Sequence, residues 1–334
     1  MSATAPYIYH YTDKNGLTGI IGSQQLWATR FDGLNDKSEV EHFHQLLVSA
    51  VLKKAIPAAL KVLPASFSAR RRFERNGGFR QVLSRDITNL LTSSHEAAFA
   101  GNEFDQAVFP PFITSFCTHD RSQPYEQKNG LLSQWRGYGK NGRYALVLDT
   151  NALEKNLELE KSSFEYSFMQ LDRVVYNNSA LDFEGRFNDV ITHFVQTFVQ
   201  FAASGDLASV DNIAEDDNLI RYISGATLLK HQGFREEQEI RVVAFPMQAA
   251  HEEKARQISM EDGTALKPVK PQFARVSGER PVEYIKLFGD ACGQLPIRRI
   301  IVGPSSDQEA NFQYAKKLVG PRVPVVKSET PFID

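Results

Sequence analysis

Cysteine is nearly missing from this chain: Cys117 and Cys292 are the only two among 334 residues, far apart and in no C-x-x-C spacing. That excludes a disulfide framework and a zinc ribbon, and it fits a reducing, cytoplasmic compartment. Charge of one sign is lacking too. With 38 Lys and Arg against 40 Asp and Glu, the chain as a whole has no footprint of a nucleic-acid coat or an anionic-membrane binder. No apolar run reaches the roughly 18 residues of a membrane span; the most hydrophobic helical stretch, 190–203, is broken by Thr192, His193, Gln196 and Gln200. Met1 to Pro6 has neither the basic nor the apolar region of a secretory signal. Repeats and low-complexity tracts are missing as well, which removes the solenoid and linker classes.

What is present is an ordinary folded composition, 42% hydrophobic and 23% charged. Three textures follow one another. Residues 7–36 read as short strands and turns with one helical turn, punctuated by Asn15-Gly16, Gly22 and Gly33. From Asp36, with Glu39 three residues on as a capping box, Phe43, Leu46, Leu47, Ala50 and Val51 fall at helical spacing until Pro57. A second helix is expected over Phe79 to Leu91, so 37–105 reads as a helical insertion. Strands are expected at Phe112 to Cys117, Tyr144 to Leu148, Arg173 to Tyr176, Glu237 to Phe245, Tyr284 to Phe288, Arg298 to Val302 and Val323 to Lys327. A second helical segment, 180–232, interrupts them, and an amphipathic stretch runs from Asp307 to Leu318. Strands and helices in blocks, without strict alternation, predict an α+β fold over a single domain at 7–334.

Two patterns suggest chemistry and are set aside. Gly137, Gly139 and Gly142 spell G-x-G-x-x-G, but a helical pattern precedes them and a strand follows, the reverse of what dinucleotide binding at a helix N-terminus needs. His42 and His44 are two residues apart on an expected helix, so their imidazoles do not share a face, and no metal site is expected. Cys117 and His119 share a strand face in the manner of a thiol and its base, though a buried strand cysteine is the commoner case.

A stronger signal is Glu237-Gln-Glu239-Ile-Arg241. On the strand expected from Glu237, the period of two collects Glu237, Glu239 and Arg241 on one face within about 14 Å. Neighbouring carboxylates repel, and the guanidinium holds one ionised or binds an anionic ligand through two parallel hydrogen bonds. A solvated strand face with a cross-strand ion pair would carry the same letters.

Tyr9-His10-Tyr11-Thr12 on a short strand, a helical turn, and Leu26-Trp27-Ala28 on the next strand together resemble the opening of the ADP-ribosyltransferase fold of the His-Tyr-Glu type, as in diphtheria-toxin-like and DNA-modifying toxins. More closely, the chain resembles a bacterial and phage domain family of unknown function. That likeness rests on Tyr9-His10-Tyr11-Thr12, Leu34-Asn35-Asp36 with Glu39, Ser115-Phe116-Cys117, Trp135-Arg136-Gly137-Tyr138 and Glu237-x-Glu239-x-Arg241.

The resemblance implies split antiparallel sheets and chemistry on NAD as substrate. His10 and Thr12 would hold the adenosine ribose side, with Ser115 nearby; Tyr138, Trp135 or Tyr11 would stack on the nicotinamide; Glu239, with Glu237 second, would bind the nicotinamide ribose; Arg136 or Arg241 would neutralise the diphosphate. Opening an N-glycosidic bond develops an oxocarbenium-like cation, and a fixed carboxylate beside it is worth several kcal/mol in a dry pocket. Such a transferase would serve as a toxin or antiphage effector, with an antitoxin as one expected partner. A nucleotide-binding adaptor without turnover and an NAD glycohydrolase remain open.

The acceptor has one sequence clue. Arg70, Arg71, Arg72, Arg75 and Arg80, interleaved with Phe73 and Phe79, form the dense basic cluster of the chain. Cations with aromatic rings suit a nucleic acid, so RNA or DNA is expected over protein as acceptor. A solvated link between two helices fits the same residues.

Overall fold

A computed structural model describes residues 5–31, 37–62, 71, 73–99, 111–120, 122–138, 142–177, 180–204, 216–247, 256, 265–277, 280–289 and 292–331. The chain runs β1 (Tyr7–Thr12), α1 (Lys14–Ser23), β2 (Gln25–Arg30), α2 (Lys37–Ala59), α3 (Phe79–Phe99), β3 (Phe112–Cys117), α4 (Pro124–Asn129), α5 (Leu132–Gly137), β4 (Tyr144–Asp149), α6 (Thr150–Ser163) and β5 (Tyr166–Arg173). It continues through β6 (Val175–Asn177), α7 (Ala180–Arg186), α8 (Asn188–Ser204), α9 (Asp216–Leu228), β7 (Leu229–His231), β8 (Glu239–Pro246), β9 (Gln272–Ser277), β10 (Arg280–Phe288), β11 (Ile297–Val302), α10 (Gln308–Val319) and β12 (Val325–Lys327). The fold is mixed α and β. Among the described residues no helix is long and apolar enough to cross a membrane.

The chain divides into two units. One comprises Met1–Gly33, Phe112–Val174 and Gly233–Asp334; the other comprises Leu34–Pro111 and Val175–Gln232. The stretches 37–105 and 180–232, set apart in the sequence by their helical pattern, lie in the second.

In the first unit ten strands, among the described residues, hydrogen-bond into one sheet that branches at β3. One edge of β3 pairs with β8 along its whole length, and β8 pairs onward with β5. The other edge serves two partners. Near its end Cys117 pairs with Tyr9 of β1, and near its start Ile113 and Phe112 pair with Thr29 and Arg30 of β2. From β1 the sheet continues through β4 and β11 to β12, and from β2 through β10 to β9. All these pairings are antiparallel except β11 with β12.

Alternation along each strand separates two faces. One carries Ile8, Leu26, Ala28, Phe116, Leu146, Leu148, Ile240, Val242, Ile285 and Ile300, and packs with Leu17 of α1, Leu153 and Leu157 of α6, and Ala315 of α10. The other carries Tyr9, Tyr11, Cys117, Ala145, Val147 and Ile301, clustered with Trp135. Asp13 starts α1 by accepting the Gly16 N–H at 2.8 Å, and Asp149 does the same for α6 with Ala152 at 3.0 Å, satisfying donors that helix starts leave unpaired. In α6, Glu160 is fully buried and stays paired: Lys270 bridges to it, Tyr166 donates its hydroxyl at 2.8 Å and the Phe288 N–H donates at 2.9 Å. Burial, with the Glu160 charge second, pushes the Cys292 thiol up to about 11.

The second unit packs α2, α3, α7, α8 and α9 around Phe43, Phe183, Phe187 and Tyr222. Gly225 permits this approach, since a Cβ there would lie 2.6 Å from Phe43 Cζ. The Tyr222 hydroxyl lies 2.9 Å from His44 Nδ1 and 3.0 Å from His95 Nδ1. Helix α2 carries Pro57 within its last turn and ends two residues later, because a proline near a C-terminus removes one donor without breaking the turns before it.

Candidate functional site

Three strands of the first unit bring the chemistry-bearing side chains into register. Tyr9 of β1 lies opposite Cys117 of β3, which lies opposite Glu239 of β8; one step along, Ser115 lies opposite Arg241. Glu239 and Arg241 are both buried, 4% and 1% exposed, and bind each other through two hydrogen bonds, from Nε at 2.8 Å and from Nη2 at 3.3 Å. Two charges so far out of water persist only with close pairing and full hydrogen bonding. Their bidentate geometry fixes the carboxylate plane.

The start of β8 corrects the sequence expectation. Glu237 ends a 3-10 segment, Gln232–Glu237, and Gln238 takes a left-handed conformation with φ of 43°. The strand therefore begins at Glu239, two residues late, and the alternation that would set Glu237 beside Glu239 and Arg241 is broken. Thr118 holds the turn by donating its N–H at 3.0 Å and its hydroxyl at 2.8 Å to the Gln238 carbonyl. A left-handed non-glycine residue persists where its surroundings over-determine it, and such positions cluster at functional sites.

Tyr11 shares the face of Tyr9. Its hydroxyl accepts the Leu131 N–H at 2.8 Å and lies 3.1 Å from His119 Nε2. Tyr9 stacks on the His119 ring at 3.6 Å. Burial pushes the His119 imidazole down to about 4 and holds the Tyr11 phenol well above its ordinary range. Trp135 meets Tyr11 edge-on at 4.8 Å and donates its indole N–H to the Asn129 carbonyl at 2.9 Å. Tyr138 lies 6.5 Å from Tyr11 and is half-exposed, and Arg136 is exposed in the last turn of α5. Arg143 anchors this helix by donating to the Trp135 carbonyl at 2.6 Å and the Pro304 carbonyl at 2.9 Å. Helix α5 ends at Gly137 and strand β4 starts at Tyr144, the order read from the sequence, while Gly139 lies outside the described residues.

His10 and Thr12 stand on the opposite face of β1. The resemblance assigns His10 and Glu239 to one NAD molecule; strand alternation sets them on opposite faces of the sheet. His10 donates from Nδ1 to the Ser115 carbonyl at 3.1 Å and lies 5.6 Å from the Phe116 ring; burial lowers its pKa. The reason lies in the branch. Between Cys117 and Ile113 the β3 edge passes from β1 to β2, and side chains stand in for a missing strand: His10 on the Ser115 carbonyl, and the Thr114 hydroxyl on the Trp27 carbonyl at 2.7 Å. Thr12 sits against Gly16, where a Cβ would come within 1.9 Å of its Oγ1.

A cleft of about 500 Å³ has Asp120, Glu126, Leu131, Leu132, Glu236 and Gln238 on its wall; Tyr9, Cys117, Glu239 and Arg241 do not line it. Three carboxylates give that wall negative charge. His119, Thr118 and Gln238 escaped the sequence reading as site residues; only the spacing of His119 from Cys117 pointed at them. Cys117 ends β3, so His119 lies beyond the strand and the two-residue alternation does not carry over to it.

Of the arginine cluster, Arg71, Arg75 and Arg80 are exposed, while Arg70 and Arg72 lie outside the described residues. Phe73, expected to add stacking, is buried and packs on Phe79 at 4.7 Å and Phe201 at 6.4 Å. Among the described residues no group of three or more His, Cys, Asp or Glu side chains is placed to hold a metal ion.

Residues 134–242 match the model of a family described as a protein of unknown function, DUF2971. That stretch, about a third of the chain, begins one residue before Trp135 and ends one residue after Arg241. No curated protein and no solved structure matches the chain.

Proposed function

We propose that the chain is an ADP-ribosyltransferase that consumes NAD and transfers ADP-ribose to a macromolecular acceptor. The observation that carries this reading is Glu239, a buried carboxylate held by Arg241 at the start of a central strand, in register with Cys117 and Tyr9. In the reaction the bond between the nicotinamide nitrogen and ribose C1′ breaks, its electron pair leaves with nicotinamide, and C1′ becomes cationic. Glu239 stabilises that cation, and an acceptor lone pair then closes the new bond while the acceptor proton passes to solvent or to the carboxylate. Tyr138 is the exposed ring for nicotinamide, Tyr11 and Trp135 support it, and Ser115 and Arg136 reach the remaining polar groups. His10 and Thr12 act in this reading by shaping the branch of the sheet. A nucleic-acid acceptor is favoured, through the exposed Arg71, Arg75 and Arg80, and the setting is that of a toxin or antiphage effector with a cognate antitoxin.

Incubation with labelled NAD and cell extract tests this. Labelled macromolecules are expected, with loss of labelling in Glu239→Gln; undiminished labelling by that variant overturns the assignment. Because Arg241 already engages both Glu239 oxygens, a second reading is a nucleotide-binding module without turnover. Nucleotide binding by calorimetry with no nicotinamide release would select it, and free ADP-ribose as sole product would select a glycohydrolase.

A further inference from the structure

The other branch of the sheet carries a surface that this chemistry does not use. The register pairs Thr29 with Tyr284, Trp27 with Lys286, Phe273 with Tyr284 and Arg275 with Val282, so Trp27, Phe273, Arg275, Tyr284 and Lys286 share one face of β2, β10 and β9. The three rings stack in series: Trp27 on Tyr284 at 4.3 Å and 25°, Tyr284 on Phe273 at 5.7 Å and 29°. Yet the outer two stay open to water, Trp27 at 43% and Phe273 at 37%.

Cations accompany the rings. The Arg275 guanidinium lies 5.5 Å from the Trp27 ring centre, the Lys286 ammonium lies 4.2 Å from that of Phe273, and Arg280 is exposed at the start of β10. Among the described residues no carboxylate stands on this face of the three strands, and none pairs with Arg275, Arg280 or Lys286; Glu283, on the reverse face, bridges to Arg30. In a chain of net charge -2, this is a local concentration of positive charge over stacked rings.

We propose that this face of β2, β10 and β9 binds single-stranded nucleic acid, its unstacked bases laid on Trp27 and Phe273 and its phosphates against Arg275, Arg280 and Lys286. Two complementarities select this occupant. Partly exposed rings on a sheet are the platform on which splayed bases stack, and cations with no carboxylate beside them among the described residues of the face match a phosphate backbone. An apolar protein surface would strand the cations, and an acidic peptide would leave the rings without planar partners. The proposal is independent of the ADP-ribosyl reading, since binding is read without NAD.

The test is fluorescence anisotropy of labelled homothymidine and homouridine oligonucleotides with the full chain, across a salt series. Trp27→Ala is expected to weaken binding about ten-fold, as the loss of one base stack does. Trp27→Phe, which keeps a ring and the stack on Tyr284, should retain most of it. Arg275→Ala with Lys286→Ala should reduce the slope of log affinity against log salt by about 1.4. Val276→Ala, on the reverse face of β9, should change nothing. Binding that is absent, or equal in Trp27→Ala and the native chain, overturns the proposal. So does tighter, Trp27-dependent binding to phosphatidylserine vesicles, or displacement of the oligonucleotide by polyglutamate as effectively as by unlabelled strand.

Discussion

The Tyr11 hydroxyl takes the Leu131 N–H at 2.8 Å and lies 3.1 Å from His119 Nε2, and the burial that surrounds this contact favours the neutral imidazole.

The first prediction concerns acid. Unfolded, His119 takes up a proton near its ordinary 6.5; folded, burial delays this to about 4. Between those values the unfolded state binds more protons, so stability falls as pH falls through the window, and the loss is complete below about 4. A shift of this size corresponds to about 3 kcal/mol. His10, His44 and His95, also lowered by burial, add with the same sign. Urea melts over a pH series should show this slope, flattened in His119→Phe. A native-chain midpoint that does not move across the window would refute the assigned neutral His119.

The second separates a buried pair from its members. Arg241→Met leaves a carboxylate buried without its guanidinium and should cost about 3–5 kcal/mol, whereas Arg241→Met with Glu239→Leu should recover part of that loss. Chemical denaturation of the two variants and of Glu239→Leu completes the cycle. Simple additivity of the two single losses would show that the pair does not act as a unit.

The third concerns the turn before Glu239. Glycine adopts a φ of 43° freely and a β-branched residue does not, so Gln238→Gly should leave stability within about 1 kcal/mol of the native chain, and Gln238→Val should cost about 1–3 kcal/mol. Thermal melts of both variants provide the comparison, and equal melting temperatures would argue against the strained turn.

Much of the fold was legible because its signals are local. Phe112–Cys117 and Tyr144–Asp149 are strands of aromatic and branched residues where expected, and the Asp307 to Leu318 pattern is α10. Helix α6 escaped notice although Asp149 caps it and Leu153 and Leu157 recur at helical spacing. The stretch Arg173 to Tyr176, expected as one strand, breaks at Val174, whose N–H turns to the Glu239 carbonyl at 3.0 Å.

The sequence by itself determined the α+β class, the strands that carry Tyr11, Ser115 and Glu239, and the two-residue alternation that sets Tyr9 and Tyr11 apart from His10 and Thr12. These depend on side-chain period and propensity within a few residues. Only tertiary structure decided which of those faces meets Glu239, because that follows from the register of Tyr9 with Cys117 and of Cys117 with Glu239, strands more than a hundred residues apart in sequence. It also decided that Glu237 falls off the strand, since the left-handed turn at Gln238 is held by Thr118, and that His10 spends a nitrogen on the Ser115 carbonyl where the sheet divides. Hydrogen bonds between distant segments override a local period, and no local pattern announces them.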